Sequence, residues 1–315
     1  MRVFLAGATG AMGRSLVPQL VSAGHQVTGT TRSQAKFDQL RTWGADPVLV
    51  DGLDAAAVGE AVAAAEPDAI IHQMTALSGS ADLRHFDRTF ATTNELRTVG
   101  TDNLLAAARA AGVRRFVAQS FTGWPNQRTG GPVKTEADPL DPNPPKWQRQ
   151  SLAAIKYVEQ AVLAAPLDGV VLRYGMFYGP GASDEMVDLV RKRRMPIVGD
   201  GGGMWSMIHI DDAASATVAA LTAGQGVYNI VDDEPATSAA VLTTLAGIVG
   251  AKPPRQLPGW LARLAAGEVG VAYLTEIRGS SNAKAKRELG WTPHWASWRD
   301  GFRGGLTDGV ITFRG

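Results

Sequence analysis

The sequence predicts an α/β fold built on a doubly wound parallel sheet, and three observations carry the prediction: strand-length apolar runs, amphipathic stretches between them, and a glycine-rich turn after the first run. The apolar runs fall at residues 3–6, 26–30, 47–50, 69–72 and 115–119. Alanine-rich amphipathic stretches at 15–23, 55–65 and 97–111 separate them, stopped nearby by Gly24, Pro67 and Gly112. Strands that alternate with helices are the pattern of βαβ units, because parallel neighbours need a crossover and a helix covers the sheet face. Residues 124–145 are polar and proline-rich, so a loop without a regular element is expected there, over the carboxyl edge of the sheet. A helix over 148–164, a strand over 170–174 and a turn at Gly179-Pro180-Gly181 follow, after which the pattern loosens.

Composition narrows the function classes. The chain has 315 residues, with 31 lysines and arginines against 30 aspartates and glutamates. No global field draws it to nucleic acid or an anionic membrane, so a small-molecule partner is expected. It contains no cysteine, which removes disulfides, thiolate metal sites and cysteine nucleophiles, and its five histidines are scattered, so no metal site is expected. The N-terminus runs straight into glycines without the apolar core of a signal peptide, and no later run is long enough to span a bilayer, so a cytoplasmic location is expected.

The first turn carries the most chemistry. Gly7-Ala8-Thr9-Gly10-Ala11-Met12-Gly13 stands between a strand and a helix, in the context that lets backbone N–H groups of Gly7, Thr9, Gly10, Ala11, Met12 and Gly13 approach a pyrophosphate. This is the Rossmann signature of a dinucleotide site. A tight turn that binds nothing is the plain alternative, but three spaced glycines exceed what a turn needs. At the tip of the second strand, Thr30-Thr31-Arg32-Ser33 has no acid for ribose hydroxyls, while Arg32 and Lys36, with Arg14 as a further candidate, suit a 2′-phosphate. NADP(H) is therefore expected over NAD(H), against the alternative of a solvated arginine at a helix start.

With those residues in view, the chain resembles the extended short-chain dehydrogenase/reductases, the group of NAD(P)-dependent sugar-nucleotide epimerases, dehydratases and reductases. The likeness includes Ile70-Ile71-His72-Gln73-Met74-Thr75-Ala76, Gly100-Thr101-Asp102-Asn103-Leu104-Leu105, Leu172-Arg173-Tyr174-Gly175, His209-Ile210-Asp211-Asp212 and Glu288-Leu289-Gly290-Trp291. The resemblance implies a Rossmann domain over 1–175, together with 206–231, and a smaller α/β substrate domain mainly over 176–315. It implies cofactor contacts from Asp51 at the adenine, from Gln73, Met74 and Thr75 beside the ribose, and from Lys156 and Tyr174.

The catalytic pattern departs from that family. Its members use a tyrosine and a lysine four residues apart on one helix face, with a serine or threonine at the end of the fifth strand. Ser120 and Thr122 fill the hydroxyl region, either to polarise a substrate oxygen or simply to cap the turn. In Gln150-Ser151-Leu152-Ala153-Ala154-Ile155-Lys156-Tyr157-Val158-Glu159, Lys156 as the family lysine leaves Leu152 in the tyrosine slot; Glu159 as the register mark leaves Ser151 and Ile155. Tyr157 lies about 100° round the helix from Lys156. Candidate substitutes are Tyr174, Tyr178, Trp124, Gln119 and Lys134, and the tryptophans at 205, 260, 291, 295 and 298 could stack on a flat substrate or belong to the core.

The expected function is an atypical NADP(H)-dependent oxidoreductase, or an epimerase or dehydratase, acting on a small carbonyl, alcohol or sugar nucleotide with Ser120, Thr122 and Lys156 at the site. The alternative is a non-catalytic NADP(H) sensor or scaffold. Family members pair helices to dimerise, which here implies a homodimer through residues 97–111 and 148–164 and their alanines Ala106, Ala107, Ala110, Ala153, Ala154 and Ala161.

Overall fold

The computed structural model describes residues 1–76 and 82–307. Alternation between two apolar cores shapes its central sheet: Val3 and Leu5 of the first strand enter one core, Phe4 and Ala6 the other. The strands are β1 (Arg2–Ala6), β2 (Gln26–Thr31), β3 (Asp46–Leu49), β4 (Ala69–His72), β5 (Arg115–Phe121), β6 (Asp168–Tyr174) and β7 (Gly226–Ile230). They lie in the order β7-β6-β5-β4-β1-β2-β3, all parallel. The sheet is the doubly wound one that the sequence predicts.

A helix occupies each crossover: α1 (Ala11–Ser22), α2 (Phe37–Trp43), α3 (Ala55–Ala65), α4 (Ala91–Ala110), α5 (Arg149–Ala164) and α6 (Ile210–Ala219). Met12, Leu16, Val17 and Leu20 of α1 pack with Ala213, Ala214 and Ala216 of α6 on one face. The other face is covered by Val58 and Val62 of α3, Leu96 and Leu104 of α4, and Val158 and Val162 of α5. The order reverses between β1 and β4, and that reversal opens a crevice at the carboxyl ends of the strands.

Beyond β6, Met176–Tyr178 pairs in parallel with Met207–His209, and the helices Asp184–Arg191, Ser238–Ile248 and Trp298–Thr307 contribute Val187, Val241, Leu242, Trp298 and Phe302 to a third core. Trp205, Trp291 and Trp298 are buried core residues, while Trp260 is 66% exposed.

Three sequence expectations are corrected. Helix α1 starts at Ala11, directly out of the glycine turn, and α4 starts at Ala91, well before residue 97. The polar residues that hid this longer start have tertiary partners: Thr93 Oγ accepts from Ala76 N and Asn94 Nδ2 donates to Ser151 Oγ. Residues 124–145 do contain a regular element, the strand Val133–Lys134, which pairs with Gly279–Ser280. Local turn signals are blind to a partner 146 positions away.

Candidate functional site

The turn after β1 needs its outer glycines for backbone reasons. Gly7 has φ +90, and a Cβ there would meet the backbone of Gln73 at 2.7 Å. A Cβ on Gly13 would lie 1.8 Å from Ala8 O, so only glycine lets α1 close on the turn. Gly10 differs: its φ is −74, and a Cβ would stand 3.6 Å from Gly7 O, ordinary contact. Gly10 is the N-cap of α1 and has no side-chain cap, so the first N–H groups of the helix face the crevice with the positive end of the dipole behind them. Thr9, Ala11 and Met12 belong to the same turn, with Met12 anchored in the core and Ala11 exposed. Two supports that no local pattern marks come from β2: Thr30 Oγ accepts from Gly7 N at 2.9 Å, and Thr31 Oγ accepts from Thr9 Oγ at 3.4 Å.

Arg32 and Lys36 follow β2, both exposed, their side chains without a hydrogen bond or ion pair among the described residues. Two free cations beside the glycine turn suit a phosphate on the adenosine side. Arg14, in the first turn of α1, approaches Gly181, whose Cβ position is 3.6 Å from its Nη1. Asp51, exposed after β3, accepts from Leu53 N at 3.1 Å.

At the end of β4, Gln73 Nε2 donates to Tyr174 Oη at 2.9 Å, and that hydroxyl also meets Thr217 Oγ at 2.7 Å. Tyr174 is therefore a core residue, its hydroxyl held inside the protein and its pKa pushed up to about 12 by burial. Met74 fills a groove between Gly52 and Gly100, and Thr75 is half-buried. His72 Nδ1 accepts from Met74 N, so Nε2 carries the proton toward Leu96 O at 3.3 Å and Thr101 Oγ at 3.1 Å. Burial, helped by the charge of Arg97, lowers the His72 pKa to about 4, so the ring is neutral. Arg97 of α4 is itself buried, 7% exposed, and desolvation lowers its pKa to about 10.

A buried ion pair ties β6 to α5, and a hydroxyl of β5 joins it. Glu159 receives Arg173 Nε at 2.7 Å and Nη2 at 2.6 Å, and Ser120 Oγ donates to it at 2.7 Å. Thr122 Oγ is 2.6 Å from Ser280 Oγ, also buried. Both expected hydroxyls thus have protein partners. On α5, Ser151 Oγ donates to Asp87 at 2.7 Å, Leu152 and Ile155 join the third core, and Lys156 is half-buried with no ion pair among the described residues. Tyr157 is 40% exposed and donates to Asp102, away from Ser120 and Thr122. Lys134 Nζ donates to Thr129 O at 2.7 Å, and Gln119 Nε2 to Met74 O at 3.1 Å. Phe86, Phe90, Phe121 and Trp124 gather near these residues, with Phe121 and Trp124 rings stacked 6.3 Å apart.

A glycine turn on a helix N-terminus, at the switch point of a parallel sheet, defines a dinucleotide-binding protein of Rossmann type. The NAD dependent epimerase/dehydratase family matches residues 3–231. A 3-diazoavenalumate denitrifying reductase from Streptomyces sp is 43% identical over 96% of this chain and 99% of its own length. A 2-alkyl-3-oxoalkanoate reductase from Stenotrophomonas maltophilia is 31% identical over 80% of this chain and 76% of its own. The UDP-glucose 4-epimerase of Thermus thermophilus, solved with NAD, shares the fold at a TM-score of 0.74 and 24% identity, with 98% of both chains covered. The chain belongs to the NAD dependent epimerase/dehydratase family, and is an NAD(P)-dependent enzyme of the extended short-chain dehydrogenase/reductase type. No helix among the described residues is long and apolar enough to cross a membrane.

Proposed function

We propose that this enzyme is an NADPH-dependent reductase whose substrate accepts hydride without a proton from the protein, and that its substrate class is the aromatic diazo carboxylates. The state of the hydroxyls carries the reading. Ser120 is engaged by Glu159 and Thr122 by Ser280, while α5 offers Ser151, bonded to Asp87, and the buried Ile155 where a tyrosine and lysine pair would stand. Reduction of a carbonyl leaves an alkoxide that a protein acid protonates in the transition state. Reduction of an aryl diazonium does not: a C–H bond forms from hydride, the C–N bond breaks with its electron pair on nitrogen, and N2 leaves. The Streptomyces relative, a 3-diazoavenalumate denitrifying reductase, supports this reading.

When bound, the nicotinamide supplies hydride. The glycine turn and the N-terminus of α1 hold the pyrophosphate. Arg32 and Lys36 take the 2′-phosphate and give the preference for NADP(H) over NAD(H). The half-buried ring of Phe121, backed by the core rings of Phe86 and Trp124, offers a flat aromatic substrate a stacking surface. The sheet domain of residues 1–175 and 206–231 holds the cofactor and residues 176–315 complete the substrate side. Two copies pair through the outer faces of α4 and α5, where Val99, Tyr157 and Leu163 are 47%, 40% and 45% exposed; Ala107 and Ala154 face inward.

The test uses NADPH with deuterium at the transferable position and an aryl diazonium carboxylate. Release of N2 with deuterium on the vacated ring carbon, and none from deuterated water, is expected. Turnover of ketones with no reaction of the diazo compound would replace this reading with the carbonyl one. No turnover of either, with an NADPH-dependent change in association state, would favour the sensor.

A further inference from the structure

We infer that Arg97 is a cofactor-binding residue that donates to the hydroxyls of the nicotinamide-side ribose. The inference rests on the NAD(P)H reading and deepens it. Arg97 is 7% exposed, yet Nε and Nη1 are sealed from solvent and have no acceptor among the described residues. A guanidinium left so in a protein interior is strongly unfavourable, and a bound ligand with paired oxygens would relieve it. Beside it, Asn94 Oδ1 is a second buried polar atom without a partner among the described residues.

Position selects the ribose. Helices α4 and α5 run side by side in the same direction, with Asn94 bonded to Ser151 and, further along, Asp102 to Tyr157. Arg97 stands between these contacts, level with the turn of Leu152 and Ile155. A helical side chain leans toward its helix N-terminus, which for α4 is the carboxyl edge of the sheet. The backbone carbonyl of Arg97 accepts from Thr101 Oγ, the hydroxyl that also meets His72 at the end of β4. The guanidinium thus belongs to the β4–β5 half of the crevice, across the switch point from Arg32. A dinucleotide with its pyrophosphate at Gly7 to Gly13 and its adenosine toward Arg32 brings its other ribose to that half. The vicinal diol presents two oxygens to the rigid fork of an arginine, in a place where α5 carries Ile155. A fixed cation there also favours the neutral reduced nicotinamide over the cationic oxidised one.

Calorimetric titration of wild type, Arg97→Met and Arg97→Lys with NADPH, NADP⁺ and adenosine 2′,5′-bisphosphate tests this. Arg97→Met is expected to weaken NADPH about ten- to hundredfold, the effect of losing hydrogen bonds to a charged donor, and to leave adenosine 2′,5′-bisphosphate unchanged. It should also narrow the NADPH over NADP⁺ preference, with Arg97→Lys intermediate on both. Cofactor-free Arg97→Met should melt no lower than wild type, since an apolar side chain relieves the unpaired charge. NADPH binding equal to wild type in Arg97→Met would overturn the inference, as would equal losses for NADPH and the bisphosphate. Failure of the wild type to bind NADPH or NADH would instead remove the cofactor reading itself.

Discussion

Replacing Glu159 by alanine tests the element that holds α5 against the sheet. Glu159 accepts two bonds from Arg173, at 2.7 and 2.6 Å, and one from Ser120 at 2.7 Å. The side chains of the ion pair are 8% and 7% exposed, so water cannot replace the lost partner. Removing one member of a buried pair strands the other charge, at about 3–5 kcal/mol. For a chain of this size about 2 °C of melting temperature accompanies each kcal/mol, so a fall of about 6–10 °C is expected. The double variant Glu159→Leu with Arg173→Met removes both charges and should recover most of that loss, because well-packed apolar residues often match a buried pair. Thermal melts of Glu159→Leu, Arg173→Met and the double variant, followed by circular dichroism, complete the cycle. A fall below 2 °C for Glu159→Ala, or losses in the double variant equal to the sum of the singles, would refute the claim that this pair is coupled and buried.

Other predictions concern the turn, the strand tip and the second half of the chain. Gly13→Ala, whose Cβ would lie 1.8 Å from Ala8 O, should fail to fold or lose well over 3 kcal/mol in urea titrations. Gly10→Ala should melt within about 0.5 kcal/mol of wild type yet bind NADPH at least tenfold more weakly by calorimetry, whereas unaltered binding would mean that Gly10 makes no approach to the phosphate. Arg32→Ala should leave stability unchanged and weaken NADPH about ten- to hundredfold with NADH unaffected, and equal losses for both would remove the 2′-phosphate assignment. Asp232 is buried, its Oδ2 unpartnered among the described residues, and burial, then the charges of Glu234 and Asp233, push its pKa up to about 8. The folded state therefore keeps a proton that the unfolded chain gives up near pH 4, so this group lowers stability as pH rises from about 4 to about 8. Asp232→Asn should flatten that decline in urea midpoints measured from pH 5 to 8.5, and identical slopes would contradict it.

What the sequence determined by itself is local and periodic. Alternation of apolar runs with amphipathic stretches specified the parallel sheet, because a period of two and a period of 3.6 are written in neighbouring residues. Gly7 and Gly13 were legible for the same reason, since a strand that turns at once into a helix leaves no room for Cβ atoms. Tertiary structure decided everything that depends on which distant groups meet. The hydroxyl of Ser120 could be named from the chain, but its engagement by Glu159 and Arg173 rests on partners 39 residues away and beyond. Tyr174 read as a cleft residue until Gln73 and Thr217 enclosed its hydroxyl. Arg97 carried no signal at all, being one arginine on an amphipathic helix. Its meaning is a buried cation with no acceptor among the described residues, and only the packing of α4 against β4 and α5 creates that environment.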